Sequence, residues 1–428
     1  KEKFMNELPW VNFLKLRAAY GTVGNDKSAG LYGYYTRYTL GSYFNAPLVM
    51  PNNYASQELS WETTKSFDIA LEGSLFDDRF GFTIGYFDKR STDLIFSVAK
   101  PRSAGSNTSW LNPSVATNIG TMANNGWELQ FNVDILRNQD FTWNFSVDAS
   151  FIDNCIKKLP FGRDIENGSQ RIAEGHSLYE WYTYHYAGVD QLDGHALYEL
   201  DPNAYEFTSV SNGQANFETK LQQARENGQL REINGKYYVT NTSNASRDWR
   251  GTAIPTVYGS FGTTFSWKGI NLGMLFTYSL GGKTYDSNYA ELMSSSMPNQ
   301  LTTSFHKDVL KAWTHAPEGM TADSPNRIDP NGTPVFNFAQ QGDNNGGCDR
   351  WLTSSDYLVF KNLNVSYSLP QKWVKALQMT NLSLGMSVDN LFTVTARKGM
   401  NPQASWSGSQ SLTFMTARVF SFQINAKF

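Results

Sequence analysis

Apolar and polar residues alternate along much of this chain with a period of two, the repeat of a β-strand whose faces meet different surroundings. In residues 141–151, Phe141, Trp143, Phe145, Val147, Ala149 and Phe151 share one face, opposite Thr142, Asn144, Ser146, Asp148 and Ser150. Residues 127–135 repeat the pattern, with Trp127, Leu129, Phe131, Val133 and Ile135 set against Glu128, Gln130, Asn132 and Asp134. Residues 67–75, 270–280 and 382–388 follow it, and in all five segments the apolar face carries no charge. The chain also closes this way, with Phe420, Phe422, Ile424, Ala426 and Phe428 facing away from Ser421, Gln423, Asn425 and Lys427.

The pattern predicts twelve strands: 12–22, 61–76, 79–96, 118–136, 140–154, 178–190, 195–200, 255–267, 269–285, 354–369, 379–396 and 413–428. Several are longer than the usual ~5–6 residues and match the ~9–11 needed to cross a bilayer at a tilt. The expected fold is therefore all-β, an antiparallel up-and-down transmembrane barrel. A soluble β-sandwich with apolar inner faces is the alternative. Tight connections at 77–78, 137–139, 191–194, Lys268 and 370–378 alternate with long ones at 23–60, 97–117, 155–177, 201–254, 286–353 and 397–412. Odd and even connections of a meander lie at opposite rims, so one rim should carry short turns and the other large loops, the asymmetry of outer-membrane barrels. Counted back from the end, Phe428 shares the short-turn rim, which would be periplasmic. Within the long connections, 304–314 reads as a short amphipathic helix. Residues 231–240 read as a hairpin turning at Asn234-Gly235, and 343–349 as a flexible Gly/Asn turn.

Composition changes this picture little. Charged residues make up 18% and aromatic residues 14% of the 428, and the net charge of −3 gives no electrostatic case for nucleic acid. No run of 18 apolar residues would make a membrane helix, which leaves a barrel untouched. Cys155 and Cys348 lie far apart, without a C-x-x-C spacing, so no disulfide framework is expected.

Several stretches resemble one family, the SusC-like TonB-dependent outer-membrane transporters of Gram-negative bacteria. "LKLRAAYGTVGN" (14–25) resembles a strand motif leading into a loop. The stretch 59–96 resembles its hairpin of Trp-Glu-Thr opening, short turn and Tyr-rich return. "NIGTMANNGWEL" (118–129), "EGHSLYEWYTYHYAGVDQLDGHALY" (174–198), "YLVFKNLNVSYSLP" (357–370) and "LSLGMSVDNLFTVTARKGMNP" (382–402) are similar to further family elements, while 201–250 and 286–350 match none. The resemblance implies a barrel of roughly 22 strands containing an N-terminal plug. It further implies a SusD-like surface lipoprotein as lid, and a TonB complex that supplies energy through the plug. On that basis residues 1–428 are expected to be the C-terminal part of one barrel domain, with the plug and remaining strands outside this sequence. Its C-terminal strand would carry Phe420, Phe422, Ile424 and Phe428 as an outer-membrane signal.

No catalytic or metal constellation stands out, and no cofactor is expected. His176, His185, His195, His306 and His315 lack a compact zinc spacing. "DQLDG" (190–194) lacks the spacing and closing Glu of a calcium loop and reads as a tight turn. Carboxylates such as Glu128 and Asp134 read as lumen lining rather than a glycosidase pair. Ligand capture remains: rings offer flat apolar surface, and amides offer donors and acceptors, to an oligosaccharide or oligopeptide. The candidates are Tyr32, Tyr34, Tyr35, Trp110, Trp249 and Trp406, while Trp127, Trp143 and Trp267 read as interface-belt residues near short turns. The expected function is import, not enzymology. A glycan-binding adhesin and a passive porin are the rivals.

Overall fold

The structure, a computed structural model, describes residues 7–29, 32–43, 46–99, 114–204, 224–294, 304–337, 344–410 and 414–428. Ten long strands form one antiparallel meander in sequence order. They are β1 (Val11–Asn25), β2 (Glu62–Leu75), β3 (Phe80–Ala99), β4 (Ser114–Arg137), β5 (Phe141–Lys158), β6 (Val257–Trp267), β7 (Ile270–Leu280), β8 (Tyr357–Ser368), β9 (Asn381–Thr395) and β10 (Val419–Lys427). A hairpin of Arg37–Tyr43 and Ala46–Tyr54 joins the same sheet, through a short parallel contact with β4.

Register makes the faces continuous. One cross-strand row runs Leu16, Leu71, Ile84, Leu129, Ala149, Gly259, Tyr278, Leu358 and Val394, apolar or aromatic at nearly every step. On the same face Phe261, Phe276, Phe360 and Phe392 meet in sequence, with ring centroids 4.9, 4.3 and 5.6 Å apart. Each such contact adds about 0.5–1.5 kcal/mol beyond simple burial. The adjacent row, on the opposite face, runs Lys15, Glu72, Thr83, Gln130, Asp148, Ser260 and Thr277. Here Lys15 pairs with Glu72 at 3.2 Å and the Ser260 hydroxyl donates to Asp148 at 2.5 Å. A one-residue slip anywhere would exchange the two surfaces, so the pattern itself fixes the register.

The apolar face has borders. From Phe141 to Phe151 the chain advances about 33 Å, or about 23 Å at a 45° tilt, close to the ~25 Å band of an outer-membrane barrel. Above it, toward the long connections, the same face carries Asp88, Asn125 and Asp153 in register. Trp127 sits just below them, opposite Phe151 and 5.2 Å from the Tyr86 ring. It therefore marks the long-loop border, not the short-turn border expected for it. Trp143 and Trp267 do lie at the short-turn end, opposite Phe265 and Phe141.

Connections alternate strictly. Residues 76–79, 138–140, 268–269 and 369–380 form one rim, the last of them a short helix, Gln371–Ala376. The described residues of the connections 26–61, 159–256, 281–356 and 396–418 lie at the other, where β3 ends and β4 begins. The end of β10 belongs to the short-turn rim, where Thr380 N donates to Lys427 O at 2.7 Å.

Two predicted strands are not in the meander. Residues 178–190 divide at His185 into Glu180–Tyr184 and Tyr186–Asp190, which enter different small sheets, and 195–200 gives only Ala196–Glu199. They form part of a folded body built from the long connections. It contains a four-stranded sheet (Arg247–Thr252, Glu180–Tyr184, Gln170–Ile172, Ile165–Asn167), a five-stranded sheet (Leu230–Ile233, Lys236–Val239, Ala196–Glu199, Tyr186–Asp190, Ile328–Asp329) and a three-stranded sheet (Leu352–Ser354, Lys283–Asp286, Ser409–Gln410). The expected hairpin is present, turning at Asn234 and Gly235 with φ of 53° and 72°, the paired positive angles that favour Asn-Gly. The amphipathic helix within 304–314 is reduced to a 3₁₀ turn, Lys307–Lys311.

This body holds the largest buried cluster among the described residues. Tyr198, Val239, Cys348, Trp351 and Met293, drawn from two separate connections, pack together. Asn344, in the supposed flexible turn, is 2% exposed and bonded to Ala196 N and Val335 O. Cys155 and Cys348 are both free, and burial pushes the Cys348 thiol up to about 12, so it stays protonated in the core.

Candidate functional site

Where β6, β7 and β8 reach the long-loop rim, their polar face ends in one cross-strand row of Tyr258, Ser279 and Tyr357. Residues 402–408 of the last long connection fold over this row and enclose a cavity of 260 Å³. Trp406 forms one wall, 56% exposed, with its ring edge-on to Tyr258 at 5.4 Å and 82°. Gln403, Ser405, Ser279, Thr284 and Ser355 add polar groups to the lining.

The strip 405–409 is held from behind. Gly408 O accepts from Tyr285 N at 2.8 Å and from the Thr284 hydroxyl, and Ser407 O accepts from Gln170 Nε2 at 2.8 Å. Gly408 has φ of 76°, and a Cβ there would lie 2.5 Å from that of Ala253, so the strip can pass so close only with glycine. The strip has a cavity on each side: Ser405, Trp406 and Gly408 line the first, while Ser407 and Ser409 line a second of 350 Å³. Asn167, Gln170, Tyr179 and Trp181 supply the far side of that second cavity. Of the sequence candidates among the described residues, only Trp406 lines either one.

The other candidates stand apart. Trp249 lies in the four-stranded sheet, stacked on His176 at 3.7 Å and edge-on to Tyr182 at 5.0 Å. Tyr32, Tyr34 and Tyr35 make an exposed turn in which Tyr34 and Tyr35 meet edge-on at 5.5 Å. Trp110 lies outside the described residues. Phe420, Phe422 and Ile424 pair in register with Val388, Met386 and Leu384 on the apolar face, and Phe428 is 82% exposed at the chain's end. Sequence reasoning missed Tyr258, Tyr357 and Gln403. The available signal was that Tyr258 and Tyr357 fall on the polar side of their strands beside a long connection.

Asp190 and Asp193 are claimed by arginines. Asp190, whose side chain is fully buried, takes Arg327 through two bonds of 2.9 and 2.7 Å and Arg231 through one of 2.5 Å; Arg231 also reaches Asp193 at 2.6 Å. Burial alone would raise the Asp190 pKa, but the Arg327 and Arg231 bonds and the Leu192 N–H hold it below the usual carboxylate value. The turn read at 190–194 is present, inside the loop body rather than at the short-turn rim. Among the described residues no group of three or more His, Cys, Asp or Glu side chains is arranged to hold a metal.

Known proteins share this architecture. The family described as TonB dependent receptor-like, beta-barrel matches residues 8–391. TonB-dependent receptor P39 of Formosa agariphila is 26% identical across 94% of this chain and 38% of its own length. TonB-dependent receptor SusC of Bacteroides thetaiotaomicron is 27% identical across 41% of this chain and 18% of its own. Among solved structures, the RagAB peptide transporter covers all of this chain with 42% of its own, at a TM-score of 0.77 and 21% identity, a likeness of fold. The chain thus spans about two-fifths of the length of curated relatives that it matches over nearly its whole extent. With its two-faced meander, unequal rims and a family match over most of its length, the chain belongs to the TonB-dependent receptor-like β-barrel family.

Proposed function

We propose that this chain supplies strands and loops of an outer-membrane importer that captures an oligosaccharide or oligopeptide at its long-loop rim. The ligand would then pass along the polar face, driven by a TonB complex acting on a plug. In this reading residues 1–428 are the C-terminal part of the barrel domain, a SusD-like lipoprotein closes over the folded body, and Phe428 faces the periplasm. The observation that carries it is the continuous two-faced ladder. A face apolar across the strands suits lipid, and a face of Glu72, Gln130, Asp148 and Ser260 suits a wet passage leading to the cavities. The ligand is bound and moved rather than cleaved. Tyr32, Tyr34, Tyr35, Trp110, Trp249 and Trp406 remain contact candidates, with Trp406 the foremost.

The test is uptake by cells carrying the intact gene, before and after a protonophore collapses the inner-membrane gradient. Accumulation should fall to the level of cells lacking the gene. Uptake that persists unchanged without the gradient would mean a passive porin instead.

A further inference from the structure

Among the described residues, no charged side chain lines either of the two cavities flanking residues 405–409, in contrast to three other clefts. Neighbouring clefts contain Asp286 with Arg397 and Lys398, Glu199 with Lys236, and Arg250 with Lys283 and Asp349. The charged neighbours in sequence of the lining residues have partners outside the cavities: Arg171 pairs with Glu166 at 2.7 Å and lies over the Tyr182 ring, and Glu180 accepts from Ser177 N at 3.1 Å. Lys283 Nζ donates to Arg250 O at 2.5 Å, Asp356 accepts from Gly281 N at 2.6 Å, and Asp286 pairs with Arg397 at 2.7 Å. What remains is aromatic, hydroxyl and amide: Trp406, Tyr258 and Gln403 on one side of the strip, Trp181, Gln170 and Asn167 on the other.

We infer that the strip 405–409 divides a two-basin binding site for a neutral oligosaccharide, with Trp406 as the ring-stacking platform of the first basin. This deepens the import reading and rests on it. A sugar ring presents an apolar C–H face, which an indole can cover, and a rim of hydroxyls that both donate and accept. Serine, tyrosine and amide groups match that rim without net charge. A uronic-acid oligomer, or a peptide section with a terminus or a charged side chain, would bring carboxylates or ammonium groups into basins whose described lining holds no counter-ion, and unpaired charge is costly to remove from water. At 260 and 350 Å³ each basin lies near the lower end of the ~300–1,000 Å³ range for small-molecule pockets. Each therefore suits a short section of an oligomer, whose chain would continue past the strip.

The test is calorimetric titration of the detergent-purified, full-length transporter with three pools. These are neutral oligosaccharides (α- and β-glucan, mannan and xylan fragments), oligogalacturonates, and a protein hydrolysate. The proposal expects binding from the neutral pool, weakened roughly tenfold or more by Trp406→Ala and largely kept by Trp406→Phe. Trp373→Ala, on the helix at the opposite rim, is a control and should leave binding unchanged. Binding from the peptide or uronate pool that Trp406→Ala abolishes overturns the neutral-sugar assignment and leaves import standing. Neutral-sugar binding without gradient-dependent uptake does the reverse. Neutral-pool binding indifferent to Trp406→Ala, or no binding from that pool, overturns the site.

Discussion

Replacing Asp190 with alanine is expected to loosen the body at the long-loop rim by about 3–5 kcal/mol, the cost of stranding a buried charge. Arg231 would keep Asp193, but Arg327 would lose both of its carboxylate bonds, and Leu192 N would lose its acceptor. Hydrogen exchange across 186–199 and 230–239 should report the change as a loss of protection of roughly 100-fold or more, since about 1.4 kcal/mol is tenfold. Asp190→Asn, which keeps an acceptor without the charge, should fall between. Unchanged protection in the alanine variant would show that neighbouring packing, not the carboxylate, holds these strands. The pH dependence has a definite sign. Because the folded Asp190 pKa is depressed, its contribution is fully present above the unfolded value of ~3.9 and is lost as pH falls through the folded value. Protection should therefore hold from neutral pH down to about 5 and weaken only in stronger acid.

The second large effect concerns the meander. Val147 lies on the apolar face between Phe131 and Phe261, well inside the band, while Ser146 lies on the polar face between Asn132 and Gly262. Val147→Arg should destabilise the barrel in lipid by about 2–4 kcal/mol, and Ser146→Arg by much less. Urea unfolding of the intact barrel in vesicles, followed by the heat-dependent shift of its gel band, measures both. Equal costs at the two adjacent positions would contradict the assignment of faces.

The ten meander strands were readable because lipid-facing and passage-facing positions demand opposite chemistry at every second residue. Phe141 to Phe151 and Trp127 to Ile135 state that demand without exception. Residues 178–190 and 195–200 misled because a small, half-buried sheet also alternates: in Glu180–Tyr184, Trp181 and Thr183 are buried and their neighbours only partly so. Length was the available warning, since the six residues of 195–200 fall short of the ~9–11 a tilted crossing needs. The border that Trp127 meets is not legible in the sequence, because its strand of 24 residues runs well past the apolar band on the long-loop side. The cavity was harder still to read. Tyr258, Ser279 and Tyr357 come from three strands, and Trp406 from a connection closing over them. Only register and the fold of 402–408 bring them together.

The shared core of the loop body bears on how such a molecule can be altered. Tyr198 and Val239 come from the connection between β5 and β6, and Met293, Cys348 and Trp351 from that between β7 and β8. The strip at 405–409, from the connection between β9 and β10, is bonded to both through Gln170 and Tyr285. These three segments are separated in sequence by barrel strands, yet they pack as one part. Grafting any one of them alone from a relative would leave half an interior without its complement. A change of ligand preference by recombination has to carry the three together, while the strands between them can diverge freely within their alternating pattern.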